Sequence, residues 1–189
     1  MAEMRAAQLK EDLLALRELG HEAASRILAD LPPHSLRRIV QATRVDWLPI
    51  EVYLELLRAI QATAGDDGVR RWATAAVGRS VDSSLLRPIV ETAIRLFGVS
   101  PTSLFRISSQ VWQQVLRDCG ELVVLSQGPG RCRIGLRGLP AVIQDRAFYL
   151  SIGGALAAAF PVCRVAGEVR LAAPSAGHSA EFEATWPAA

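Results

Sequence analysis

The sequence predicts an α+β fold: an N-terminal helical bundle followed by β-β-α-β-β, forming a four-stranded antiparallel sheet with helices packed on one face. Three observations predict it. Apolar residues recur at helical spacing as far as Gly120. Beyond Gly120 they alternate with polar residues in period two. Gly128-Pro129-Gly130 then divides two such runs, as a hairpin turn does.

Leu9, Leu13, Leu14 and Leu16 give a first helix over 6–19 one apolar face, and Gly20 closes it. A short helix over 22–31 stops at Pro32-Pro33, which opens the next over 33–43. The stretch 45–68 reads as a helix with Pro49 in its first turn and Ile50, Tyr53, Leu54, Leu57 and Ile60 on one side, ending in the loop 65–68. Helices follow over 69–79 and 82–97, the second with Asp82 as N-cap and a kink at Pro88. Ser100 and Pro101 are the N-cap and first residue of a long helix that runs to Gly120.

The hairpin strands are 122–127 and 131–139. In the second, Arg131, Arg133 and Arg137 face outward, and Cys132, Ile134 and Leu136 face inward. A helix over 143–160 precedes strands 163–172 and 178–186. In the last strand Glu181 and Glu183 point out, while Ala180, Phe182, Ala184 and Trp186 point in.

Composition bounds the function. The chain has 189 residues, half of them hydrophobic, enough to fill a core without disulfides or metal. Lys plus Arg number 21 against 19 acidic residues, which argues against nucleic-acid binding by bulk charge. Cys119, Cys132 and Cys163 are odd in number and widely spaced, so they read as buried thiols. His21, His34 and His178 have no ligand-type partner at i+3 or i+4, and no metal is expected. The first residues carry Glu3, Glu11 and Asp12 and lack the apolar core of a signal peptide. No run reaches the ~18 apolar residues of a spanning helix. The nearest, 147–163, is broken by Gly153, Gly154 and Pro161 and reads as a buried helix. These points predict a cytoplasmic protein without a membrane span. No Ser lies in a G-x-S-x-G context and no Cys beside a base at a helix start, so no enzyme is expected. Gly128-Pro129-Gly130 is no phosphate loop, because no helix follows it.

Two features have alternative readings. Arg131, Arg133 and Arg137 form either a solvated face neutralised by Glu168, Glu181 and Glu183 or a docking face for an acidic partner. Gly153 and Gly154 admit a close approach by the domain's own sheet, a second subunit or an apolar channel.

The segments LADLPPHSLRRIV (28–40), VDWLPIEVYLELLRAI (45–60), QVWQQVLRDCGEL (110–122), VVLSQGPGRCRIGLRGLP (123–140) and EFEATW (181–186) together resemble a bacterial family of small paralogous proteins, multiplied in myxobacteria. That family is similar to 4-vinyl-reductase-type domains, in a superfamily with haem-based nitric-oxide sensors and TRAPP Golgi-transport subunits. The resemblance spans 28–186 of a single domain over 1–189 and leaves 1–27 as a helical extension packed on it. It implies a ligand-binding fold, homodimerisation and an apolar cavity between helices and sheet. The chain departs from the family twice. The closing strands lack the cysteines that hold metal in vinyl-reductase-type domains, and the helices between Ser35 and Gly120 lack the histidine that holds haem in nitric-oxide sensors.

The expectation is therefore a non-catalytic cytoplasmic sensory domain without a cofactor, binding a small apolar ligand and acting through a protein partner. The alternative is a structural interaction or dimerisation module with a filled core. Most aromatic residues are expected to pack the core; Trp47, Tyr53, Trp112, Phe148 and Tyr149 are the candidates for ligand contact. Gly153, Gly154, Arg131, Arg133 and Arg137 are the candidates for an interface. A cavity of ~300 Å³ or more would favour the ligand reading.

Overall fold

In the computed structural model, which describes residues 1–81 and 86–188, the chain opens with strand β1 (Glu3–Arg5), followed by helices α1 (Ala6–Ala15), α2 (His21–Asp30) and α3 (Pro33–Gln41). Gly20, at φ 91°, and Pro33, in the first turn of α3, set the boundaries that the sequence marks. Strand β2 (Trp47–Pro49) then leads into α4 (Ile50–Val81). Pro49 thus ends a strand and does not start a helix, because Trp47 pairs with Arg5 and holds this backbone extended. The loop expected over 65–68 is only a kink. Gly65 alone leaves helical geometry, at φ 70° and ψ −175°, and α4 resumes at once.

Asp82 lies outside the described residues. Helix α5 (Arg87–Phe97) begins beside Pro88, which sits in the first turn, where its missing N–H is harmless, and so does not kink the helix. Helix α6 (Pro101–Val115) starts as expected, with the Ser103 amide donating to Ser100 Oγ at 3.2 Å. It stops short of Gly120 because β3 (Leu116–Arg117) departs to pair with β1. The resulting sheet, ordered β2-β1-β3, was not expected. Strands this short carry no readable period.

Strands β4 (Glu121–Gly128) and β5 (Arg131–Arg137) form the expected hairpin. The helix expected over 143–160 is two helices, α7 (Arg146–Ala157) and α8 (Ala159–Cys163). Asp145 Oδ1 caps α7, accepting from the Ala147 amide at 2.7 Å. Arg164 turns left-handed after α8, at φ 55°, so Cys163 and Val165 fall outside the strand predicted to include them. Strands β6 (Glu168–Ala172) and β7 (Ala180–Thr185) complete an antiparallel sheet ordered β4-β5-β7-β6. The fold is α+β as predicted.

Cys132, Ile134 and Leu136 on β5, and Ala180, Phe182 and Ala184 on β7, are buried on the helix side, where their alternation puts them. One continuous apolar core extends from Met4 to Ala184. Helix α7 lies within it: a Cβ on Gly153 would sit 3.6 Å from the Phe182 ring, and one on Gly154 only 2.4 Å from the Arg70 carbonyl of α4. The close approach that Gly154 permits is therefore made to α4 of the same chain.

The outer face of the sheet departs from the expected pattern at Glu181. This side chain is fully buried, because the segment between β6 and β7 folds back over it. The Ser175 amide donates to Glu181 Oε1 at 2.8 Å, the Ser175 hydroxyl donates to the same oxygen, and His178 Nδ1 lies 3.4 Å from it. Arg133 Nη2 donates to Oε2 at 2.6 Å.

Candidate functional site

Where α1, α4, α6 and α7 meet, alanines stand at packing positions. Ala73 and Ala76 of α4, Ala155 of α7 and Ala159 of α8 offer only methyl groups, and a cavity of about 170 Å³ remains between them. Val111 and Trp112 of α6, Ile152 and Leu156 of α7, and Trp72 of α4 complete an apolar wall. Met4 of β1 and Val90 of α5 also border it. Among the described residues only Leu122 of the four-stranded sheet reaches the cavity. The space is thus among helices, not between helices and sheet. It is also smaller than the ~300 Å³ that marks drug-sized pockets. Apolar cavities of ~150 Å³ take up benzene or xenon, which sets the size class.

Most polar groups on the wall are satisfied within the chain. Trp72 Nε1 donates to the Asp12 carbonyl at 2.9 Å, and Trp112 Nε1 to the Gly120 carbonyl at 3.0 Å. The Tyr53 hydroxyl donates to Ser151 Oγ at 3.1 Å; Ser151 in turn donates to the Phe148 carbonyl at 2.8 Å. Burial, with the nearby Asp12 carboxyl, raises the Tyr53 phenol well above its usual range and keeps it neutral.

Asp12 is the exception. It lines the cavity and is 2% exposed. Its Oδ1 accepts from Gln8 Nε2 at 2.9 Å, and among the described residues Oδ2 has no hydrogen-bond partner. Burial pushes its carboxyl up to about 7, against the lowering effect of the Gln8 bond.

The candidate residues part company here. Tyr53 and Trp112 line the cavity. Phe148 is buried behind them, edge-on to both rings with centroids 6.3 Å away in each case. Tyr149 lies beside Phe148, at 6.4 Å. Trp47 is elsewhere, on β2, with the Arg5 and Arg117 guanidiniums 3.9 and 4.1 Å from its ring. Of the arginines, Arg133 binds Glu181, Arg137 pairs with Glu121 at 2.8 Å, and Arg131 is exposed at the start of β5. Sequence reasoning missed Gln8, Asp12 and Trp72. The signal for Asp12 was its spacing: it stands three residues after Leu9 and four before Leu16, on their buried stripe.

The resemblance to haem sensors invites a test of fit. Protein ligands to haem iron are imidazole, thiolate, phenolate or a thioether paired with histidine. Among the described wall residues there is no histidine or cysteine, the Tyr53 phenol is held neutral, and Met4 has no histidine to complement it. No arginine or lysine on the wall meets the propionate charges. These residues do not fit haem. Elsewhere, burial pushes the Cys119 and Cys132 thiols up to about 11, far from reactive thiolates.

No family model matches the sequence, and no curated protein matches it. Solved structures do. The unliganded Fe(II) H-NOX protein of K. algicida superposes with a TM-score of 0.62 at 14% identity, over 98% of both chains. A mutant of that H-NOX protein gives 0.65 at 15% identity, over 97% of this chain and 96% of that one. An oxygen-binding H-NOX domain related to soluble guanylate cyclases gives 0.62 at 9% identity, over 97% and 95%. At such identities the likeness is one of architecture, and it extends over nearly the whole chain: this protein has the H-NOX fold.

Proposed function

We propose that the chain is a non-catalytic sensory domain that takes a small apolar molecule into the cavity among α1, α4, α6 and α7. It acts in the cytoplasm, as a homodimer, through a protein partner. The observation that carries this reading is the cavity of about 170 Å³ that the apolar residues of these helices leave between them. An apolar occupant would take the apolar wall out of contact with water, which favours binding. The fold supports the reading, since it also carries an oxygen-binding domain. A route outward is at hand in α5: its Val90 borders the cavity, and Leu96 and Phe97 at its end are exposed, as is the following Val99.

Toluene is the probe of choice. Saturating toluene should raise the melting temperature of the native chain, and Ala155→Leu, which fills the space, should remove that rise while the variant stays folded. Absence of toluene and xenon uptake by the native protein would reject the ligand reading and leave the interaction module. Native mass spectrometry of the same sample reads the oligomeric state.

A further inference from the structure

We propose that the occupant of the cavity is an apolar molecule bearing one hydrogen-bond donor, seated on Asp12 Oδ2; this rests on the ligand reading above and names its ligand class. The wall has few polar groups left to offer a guest. The indoles of Trp72 and Trp112 and the hydroxyl of Tyr53 already donate to acceptors of the chain. Ser108 on the wall likewise donates to the Phe105 carbonyl at 2.7 Å. Asp12 lines the cavity and is 2% exposed; one oxygen of its carboxyl is engaged by Gln8, and the other, shielded by the wall, has no partner among the described residues, so a donor reaches it as the wall yields. A buried carboxylate oxygen left bare costs more than a satisfied one, so the site gains most from a guest that donates. The rest of the guest must be apolar and of about benzene's size, because the wall is apolar and the space is small.

The same geometry makes affinity depend on pH. A donor favours the ionised carboxylate, so binding strengthens as pH rises through the Asp12 range, near 7, and levels off above it. The charged and titratable groups around Asp12 are few. On α1 it is preceded by Glu11, which is held by Arg44 at 2.9 Å and by Arg79 of α4 at 3.7 Å. On α4 there is the neutral Tyr53 phenol. Among the described residues, α5, α6 and α7 bring no charged side chain to the wall.

The test compares phenol with toluene, two guests of similar size that differ in one donor, by titration calorimetry on the full chain. Phenol titrates near ~10 and stays neutral across the range used. At pH ~8.5 phenol should bind at least ~10-fold tighter than toluene, and at pH ~5.5 that advantage should shrink to within ~3-fold. Asp12→Leu should abolish the advantage and keep toluene binding; Asp12→Asn should abolish its pH dependence. Equal binding of the two guests to the native chain at the higher pH, or an advantage that does not change with pH, overturns the role of Asp12 and leaves the cavity reading intact. Binding of neither guest overturns both. The native-chain comparison decides the matter even if a variant fails to fold.

Discussion

Among the described residues two carboxylates are buried, one in the helical half and one in the sheet half, and they are treated in opposite ways. Glu181 on β7 receives the Ser175 amide, the Ser175 hydroxyl and the Arg133 guanidinium. These hold its carboxyl down to about 2, the two Ser175 bonds contributing most. Asp12 on α1 receives only Gln8, and burial carries it up to about 7. Burial alone therefore says little about a carboxyl; the count of donors around it decides. A fully furnished acid stabilises the fold locally. A poorly furnished one beside a cavity is a cost, and in that position it is a binding group.

The contrast can be tested through stability. Between the unfolded value of 3.8 and about 7, native Asp12 holds its proton more tightly than the unfolded chain does. Stability therefore falls as pH rises across that window and stays low above it. Asp12→Asn removes the penalty, so at pH ~8 it should stabilise the ligand-free protein by about 2 kcal/mol, with a ceiling of about 4 from the pKa shift, and by much less near pH ~4. Chemical denaturation at the two pH values checks this. A variant less stable than the native chain at both would mean that Asp12 has partners the geometry does not reveal.

Glu181 should behave with the opposite sign. Its lowered carboxyl contributes stability that is full above the ordinary value of 4.5 and is lost as pH falls through about 2. Glu181→Gln should lower the melting temperature at neutral pH, and the native–variant gap should narrow on acidification. A gap that is constant with pH would remove charge from the explanation. The smallest effect belongs to Arg137→Ala, which breaks a pair with Glu121 in which both side chains are more than half exposed. The expected loss is under ~1 kcal/mol by thermal melting, and a larger one would show that the outer face is more tightly covered at this end than the Glu121 pairing implies.

The fold was legible wherever a period ran long enough. The Ser100 cap, the β4–β5 hairpin and the inward set Cys132, Ile134 and Leu136 all stand where their spacing puts them. The site was half legible. Tyr53 and Trp112 were found because large aromatics on apolar helix faces must point inward. Asp12 was hidden because an acid on a helix is ordinarily solvated, and only its place between Leu9 and Leu16 says otherwise. Glu181 was misread for a related reason. Strand alternation assigns a side chain to a face but does not reveal that a loop carrying Ser175 and His178 returns to cover that face. Nor could alternation find β1, β2 and β3, whose residues are too few to display it.

That small sheet has a consequence for the order of assembly. Strand β1 lies in its middle, with Met4 opposite Leu48 on one side and Leu116 on the other. Closing the longer of the two loops costs only ~1 kcal/mol more in chain entropy than closing the shorter, so equilibrium barely distinguishes them. Time does. During synthesis β1 can gain its first neighbour once Pro49 has left the ribosome, but its other edge stays bare until Arg117 has followed. Over that interval a short strand with open hydrogen-bonding groups anchors the helix that carries Gln8 and Asp12. Trp47, with the guanidiniums of Arg5 and Arg117 against its ring, joins all three strands, and in a variant whose other three tryptophans are replaced its fluorescence offers a clock for the moment the last one docks.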